Sequence, residues 1–175
     1  GLDFDRDRGA ATGNLPGLLS GPVLAGANKS RDPLSDSDDG IMTASEITTL
    51  DLRHVDLAVL SACETGLGPA AGGEGVLGLQ RAFQVAGART TITSLWQVDD
   101  NATKVLMQRF YSNLWDKKMG KDAALREAQL WMLREGKKDA GIARGLRKVG
   151  VPQPAADGRL PPYFWAAFVL SGDWR

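Results

Sequence analysis

The chain has 175 residues, of which 43% are hydrophobic and 24% charged, as expected of one globular domain with a sizeable core. Lysine plus arginine and aspartate plus glutamate both number 21, so the net charge is zero and the electrostatic case for nucleic acid or an anionic membrane as partner falls away. No apolar run approaches the roughly 20 residues that a spanning helix needs, and no signal peptide is visible.

Residues 1–40 are rich in loop formers, with only GPVLAGA at 21–27 reading as a strand. SRDPLSDSDDG at 30–40 is acidic and serine-rich, as a surface loop would be. Thr43-Ala-Ser-Glu46 has capping-box spacing, so a short helix is predicted from there to about Leu50. A strand follows at 55–62, apolar on both faces through Leu57, Val59, Leu60 and Ala62, as in a parallel sheet.

A glycine-rich loop leads from this strand into EGVLGLQRAFQVAGA, a helix with Val76, Leu79, Phe83 and Ala86 on one face and Gly87 at its end. RTTITSLW at 89–96 reads as a second buried strand. Asp99 or Asp100 can cap the next helix, which carries Leu106, Phe110 and Leu114 and is expected to end at Gly120. KDAALREAQLWMLREG is a third helix with Leu125, Ala128 and Met132 toward the core, and 139–149 fits a short fourth. YFWAAFVLSG at 163–172 reads as a closing strand. The alternation of strand and helix predicts a layered α/β sandwich with parallel pairs, in one domain spanning 1–175.

Chemistry concentrates in DLAVLSACETGLGPAAGGEG at 56–75. Cys63 is the only cysteine, so no internal disulfide can form and a reducing, cytoplasmic compartment fits. With one cysteine and one histidine, no zinc site of that type is available, and neither metal nor cofactor is expected. A free cysteine is most simply a buried structural thiol. Cys63 stands instead at the carboxyl end of a strand, where α/β proteins bind ligands, and is a candidate nucleophile. His54 cannot be its base. At about 3.3 Å per residue it lies roughly 25–30 Å away at the other edge of the sheet, as a surface residue.

The loop GLGPAAGGEG lacks the Gly-Lys-Ser/Thr ending of a phosphate loop, and Glu74 would repel phosphate, so nucleotide binding ranks last. Its glycines, Gly66 among them, let backbone N–H groups approach a carbonyl. Trp96, Asp99 and Asp100 follow the second strand. They offer either packing and a helix cap or an aromatic wall and acidic floor for a substrate side chain, with Glu64 and Glu74 as alternative acids. Arg134, Lys137, Lys138, Arg144, Arg147 and Lys148 make a solvated basic face.

DLAVLSACETGLG, GEGVLGLQRAFQVAGARTTITSLWQVDD, LMQRFYSNLW, ALREAQ and YFWAAFVLSGDW, with LLSGPVLAGA and DGIMTASEI before them, closely resemble the CHAT domain, a caspase-like family. The match runs in order from Leu18 to Trp174. The resemblance implies a three-layer sandwich, a mostly parallel sheet flanked by helices. It also implies a cysteine endopeptidase acting on protein or peptide through a Cys-His dyad, with Cys63 as nucleophile. Many CHAT domains follow tetratricopeptide repeats, so such repeats upstream are an expected partner. The family's histidine usually sits in an Ala-Thr-His-Gly motif upstream of LLSGPVLAGA. That motif is absent, and Pro161-Pro162-Tyr163 stands where His-Pro-Tyr is common. Since the first residue is Gly1 rather than Met, the chain reads as a fragment lacking the histidine segment and inactive alone. The rival reading is a non-catalytic CHAT interaction or regulatory module.

Overall fold

The computed structural model describes residues 40, 42–60, 72–147 and 150–175. Cys63, Glu64 and Gly66, the expected strand at 21–27 and residues 30–39 of the acidic segment lie outside them, and Glu74 is described only as backbone within a helix. The fold is α/β, with a small mixed sheet of three strands and helices. The described residues fall into two compact units, one comprising 42–58 and 72–91, the other 59–60, 92–147 and 150–175.

In the first unit α1 spans Ala44–Ile47. Its capping box is complete: Thr43 Oγ1 accepts from the Glu46 N–H at 3.2 Å, and Glu46 Oε2 accepts from the Thr43 N–H at 2.6 Å. Two otherwise orphaned donors are thereby satisfied, which lets so short a helix persist. It buries Ala44 and Ile47 and packs on α2, Gly72–Val85, whose Leu79 and Ala82 are buried. Val76 and Phe83, expected on the same face, are half-buried. Gly87 ends this run at φ +109°, a conformation that favours glycine. The chain between the helices is tied back by Leu52 N–H to Ala86 C=O at 2.8 Å and Arg89 N–H to Val55 C=O at 3.0 Å. His54 sits exposed in the intervening turn.

The sheet has the order β1-β2-β3, with β1 at Ala58–Leu60, β2 at Thr90–Ser94 and β3 at Phe168–Gly172. β1 is shorter than the predicted 55–62. Val55 is instead held in a turn by its N–H to Leu52 C=O, and 61–62 lie outside the described residues. β2 is buried along its whole length, as its β-branched run predicts.

In the second unit α3, Asp100–Tyr111, buries Ala102, Leu106 and Phe110. It does not run to Gly120. A π-helical turn, Ser112–Asp116, closes it, with Lys117 N–H bonded to Ser112 C=O at 3.2 Å. Gly120 instead precedes the first residue of α4, Lys121–Glu135, which buries Leu125, Ala128 and Met132 as predicted. Glycine is commoner just past a helix end, which favoured the predicted stop, but it also occurs as an N-cap, the role Gly120 takes here. α5 is Ala140–Gly145, capped by Asp139. The predicted closing strand at 163–172 begins only at Phe168. Pro162–Phe164 forms a 3-10 turn, since two prolines at 161–162 favour turn entry over ladder bonding.

Candidate functional site

The site expected from sequence lies where β1 and β2 end. Its described part belongs to β2 and the segment after it. Ile92 is fully buried within Thr90–Ser94 and anchors the strand. Leu95 N–H then donates to Ala167 C=O at 2.9 Å, and the chain turns out into solvent. Trp96 follows the exposed Leu95 at 37% exposure, and its indole N–H donates to the Tyr163 carbonyl at 3.2 Å. That bond fixes the indole, which is neither fully buried nor free.

Asp99 is the N-cap of α3. Its Oδ1 accepts from Asn101 N–H at 3.0 Å and from Ala102 N–H at 3.4 Å. α5 closes over it: a Cβ added to Gly145 would lie 3.2 Å from Asp99 Oδ2. Asp100, one residue on, stands exposed in the first helical turn. The two acids that sequence reading leaves as equals therefore differ in environment. One is committed to a cap beneath a glycine, and the other faces water.

Sequence reasoning missed a feature of β2. Thr93 is 1% exposed and Ser94 2%, yet among the described residues Thr93 Oγ1 and Ser94 Oγ have no hydrogen-bond partner. Buried hydroxyls are nearly always paired, so two at the carboxyl end of one strand call for an explanation. The signal was the composition of TTITS, four hydroxyl residues in a strand otherwise read as apolar. Cys63, Glu64 and Gly66 lie outside the described residues, and Glu74 lies within α2. Trp96, Asp99 and Asp100 come together simply as neighbours at the end of β2.

The basic face is as expected: Arg134, Lys137, Lys138, Arg144 and Arg147 are all exposed, and Lys138 pairs with Glu135. Among the described residues no group of three or more His, Cys, Asp or Glu could hold a metal, and no helix is long and apolar enough to cross a membrane.

A more ordered polar network lies elsewhere, between α3 and α4. Asn113, fully buried in the π turn, donates through Nδ2 to Ala124 C=O at 3.1 Å and to Glu127 Oε2. Its Oδ1 accepts from Lys117 Nζ at 2.8 Å. Arg109 grips Glu127 with two bonds, at 3.2 and 2.8 Å, and lies 4.6 Å over the Trp131 ring. The Arg109 hydrogen bonds chiefly, and the one from Asn113 to a lesser degree, hold the Glu127 carboxyl below its ordinary range against the opposing effect of burial. This network braces the helices that carry Asp99 and Asp100 but presents no reactive group.

The model of the CHAT domain family matches residues 11–173. Curated relatives include tetratricopeptide repeat protein 28 of Mus musculus, 39% identical over 75 residues, and of Homo sapiens, 36% identical over 74. Each match covers 42% of this chain and 3% of the relative, so the chain aligns with a small part of much longer proteins. No solved structure matches.

Proposed function

The chain belongs to the CHAT domain family, and from that premise we propose that it is the nucleophile-bearing part of a cysteine endopeptidase, a caspase-like sandwich within a larger tetratricopeptide-repeat protein. The observation that carries the reading is the family match across the segment in which Cys63 follows β1 by three residues, within LSACETG. The rim of β2 supports it, with a tethered, half-exposed indole and an exposed carboxylate.

In this mechanism a histidine outside residues 1–175 takes the Cys63 proton. The thiolate attacks the scissile carbonyl, and the Cys63 N–H, with a second backbone N–H beside the histidine, holds the oxyanion. Collapse of the tetrahedral intermediate breaks the C–N bond, and the histidine returns its proton to the leaving amine. Water then hydrolyses the thioester. Without the histidine segment both the base and one oxyanion donor are lost, and the donor alone is worth about 3–4 kcal/mol of the barrier. Residues 1–175 by themselves therefore cleave negligibly.

Trp96 forms the wall of the substrate-side-chain pocket. Asp100 provides its charge and selects lysine or arginine, and Asp99 acts as the cap beneath it. The unpaired Thr93 and Ser94 hydroxyls favour a polar ligand at this strand end.

The test is to extend the chain at its N-terminus with the parent's strand bearing Ala-Thr-His-Gly and expose it to a peptidyl acyloxymethyl ketone. Covalent labelling of the extended chain is expected, with none of residues 1–175 and none of the extended Cys63→Ala variant. Labelling that survives Cys63→Ala sinks the nucleophile assignment. An extended chain that never labels points to the non-catalytic interaction module instead.

A further inference from the structure

The opposite side of the sheet carries a second feature. β3 is an edge strand among the described strands, and its sequence FVLSG holds no charge and no proline. Natural edge strands are usually protected by such residues, so this edge is built to be covered. Its polarity follows from a single bond. Ala167 C=O accepts from Leu95 N–H, so the odd residues 167, 169 and 171 turn their backbone groups toward β2. The even residues 168, 170 and 172 turn theirs outward.

Outside this edge lies an open cleft of about 460 Å³ against α4, lined by Asp122, Leu125, Arg126, Gln129, Leu170 and Trp174 among others. Gln129 Nε2–H donates to Phe168 C=O at 2.9 Å, standing where a further strand's peptide N–H would stand. Past it the outward groups of Leu170 and Gly172 face the cleft. Leu125 and Leu170 form an apolar floor, and Trp174, 54% exposed, forms a side. Arg126 on the rim is exposed and, among the described residues, has no ion pair, although the exposed Asp122 lies one helical turn before it.

We propose that this cleft binds an extended peptide segment of a partner protein, paired to β3 at Leu170–Gly172. An aliphatic side chain of the segment lies over Leu125 and Leu170, and an acidic neighbour meets Arg126. The main-chain groups supply attachment and the socket and cation supply selectivity, as in recognition by strand addition. A second copy of this chain fits less well. Antiparallel pairing about Leu170 sets Phe168 of each strand opposite Gly172 of the other. Gln129 already holds the Phe168 carbonyl on both, so two of the six bonds of that pairing would be lost.

The test uses fluorescein-labelled hexapeptides bearing Leu or Val beside Glu or Lys, read by anisotropy on the chain as it stands. Saturable binding is expected, favouring Glu over Lys by about threefold or more. Methylating alternate peptide nitrogens should abolish it, because the ladder donors are gone. R126E should invert the Glu/Lys preference, and Leu170→Pro, checked for fold by circular dichroism, should weaken binding at least about tenfold. The inference is overturned if no peptide binds below about 1 mM, a range typical of the weakest specific contacts. Indifference to N-methylation overturns it too, as does concentration-dependent dimerisation that excludes the peptide. None of these readouts depends on Cys63, so the peptidase reading stands or falls separately.

Discussion

Asp99 shows how one side chain can satisfy two readings and how they come apart. As the α3 cap it accepts from two backbone N–H groups. Asp99→Ala should therefore lower stability by about 1 kcal/mol, while Asp99→Asn, which keeps the acceptor, should lose only a few tenths. Asp100 caps nothing but lies in the first turn, so Asp100→Asn should lose only about 0.3–0.5 kcal/mol of dipole stabilisation and weaken any preference for lysine or arginine in the extended, active chain. Urea titration reads the first pair, and a peptide library read by mass spectrometry reads the last. A library showing no basic preference in the parent removes the acidic pocket. Gly87 is constrained in a different way. Its φ of +109° places an added Cβ 2.7 Å from Arg53 Cγ and 2.9 Å from the Arg53 backbone nitrogen. Gly87→Ala should destabilise by about 1–3 kcal/mol, from strained backbone together with the clash. A loss below about 0.5 kcal/mol in urea would mean that the turn simply relaxes.

At the scale of elements, the π turn is held by tertiary bonds rather than by propensity. Asn113 gives both amide hydrogens and its oxygen to groups on α4 and at Lys117. Asn113→Ala leaves a hole at a fully buried position and takes a bond from the Ala124 carbonyl, and should lose about 1–2 kcal/mol. The winding of this turn brings Tyr111 and Trp115 into a stack, 4.6 Å between centroids and 14° between planes, and leaves Trp115 60% exposed. Glu127 couples the pair of helices to pH. Its folded pKa is depressed, so its contribution is complete above the ordinary value of 4.5 and is lost as pH falls through the lower folded value. The carboxylate is about a third exposed, which holds the contribution below about 1 kcal/mol. The stability difference between wild type and Glu127→Gln should shrink below pH 4.5 and be flat above it. A difference that persists at pH 2–3, below the carboxylate range, would show that packing rather than charge is responsible.

For the whole molecule, equal numbers of acidic and basic groups set the sequence pI at about 6.8. Solubility at low salt should pass through a minimum near that pH, because net repulsion between molecules vanishes there. Light scattering across pH 5–9, spanning the carboxylate-to-amine gap, checks it. The family match runs over 11–173, whereas the matched segment covers only 3% of the curated relatives.

Local chemistry was legible in the residues themselves. The Thr43–Glu46 capping box, the buried β2, the positions of Leu125, Ala128 and Met132 on α4, and the family signature around Cys63 all rest on short-range spacing. Spacing of that kind acts before the chain has a tertiary neighbourhood. What required the folded chain were choices among groups equivalent in sequence. Asp99 rather than Asp100 became the cap because its backbone leaves the helix there and its carboxylate reaches the N–H groups of Asn101 and Ala102. The α3 run broke at Ser112 because α4 offers Asn113 buried acceptors. The unpaired hydroxyls of β2 and the open edge of β3 belong to the same class, since burial and pairing depend on groups distant in the chain.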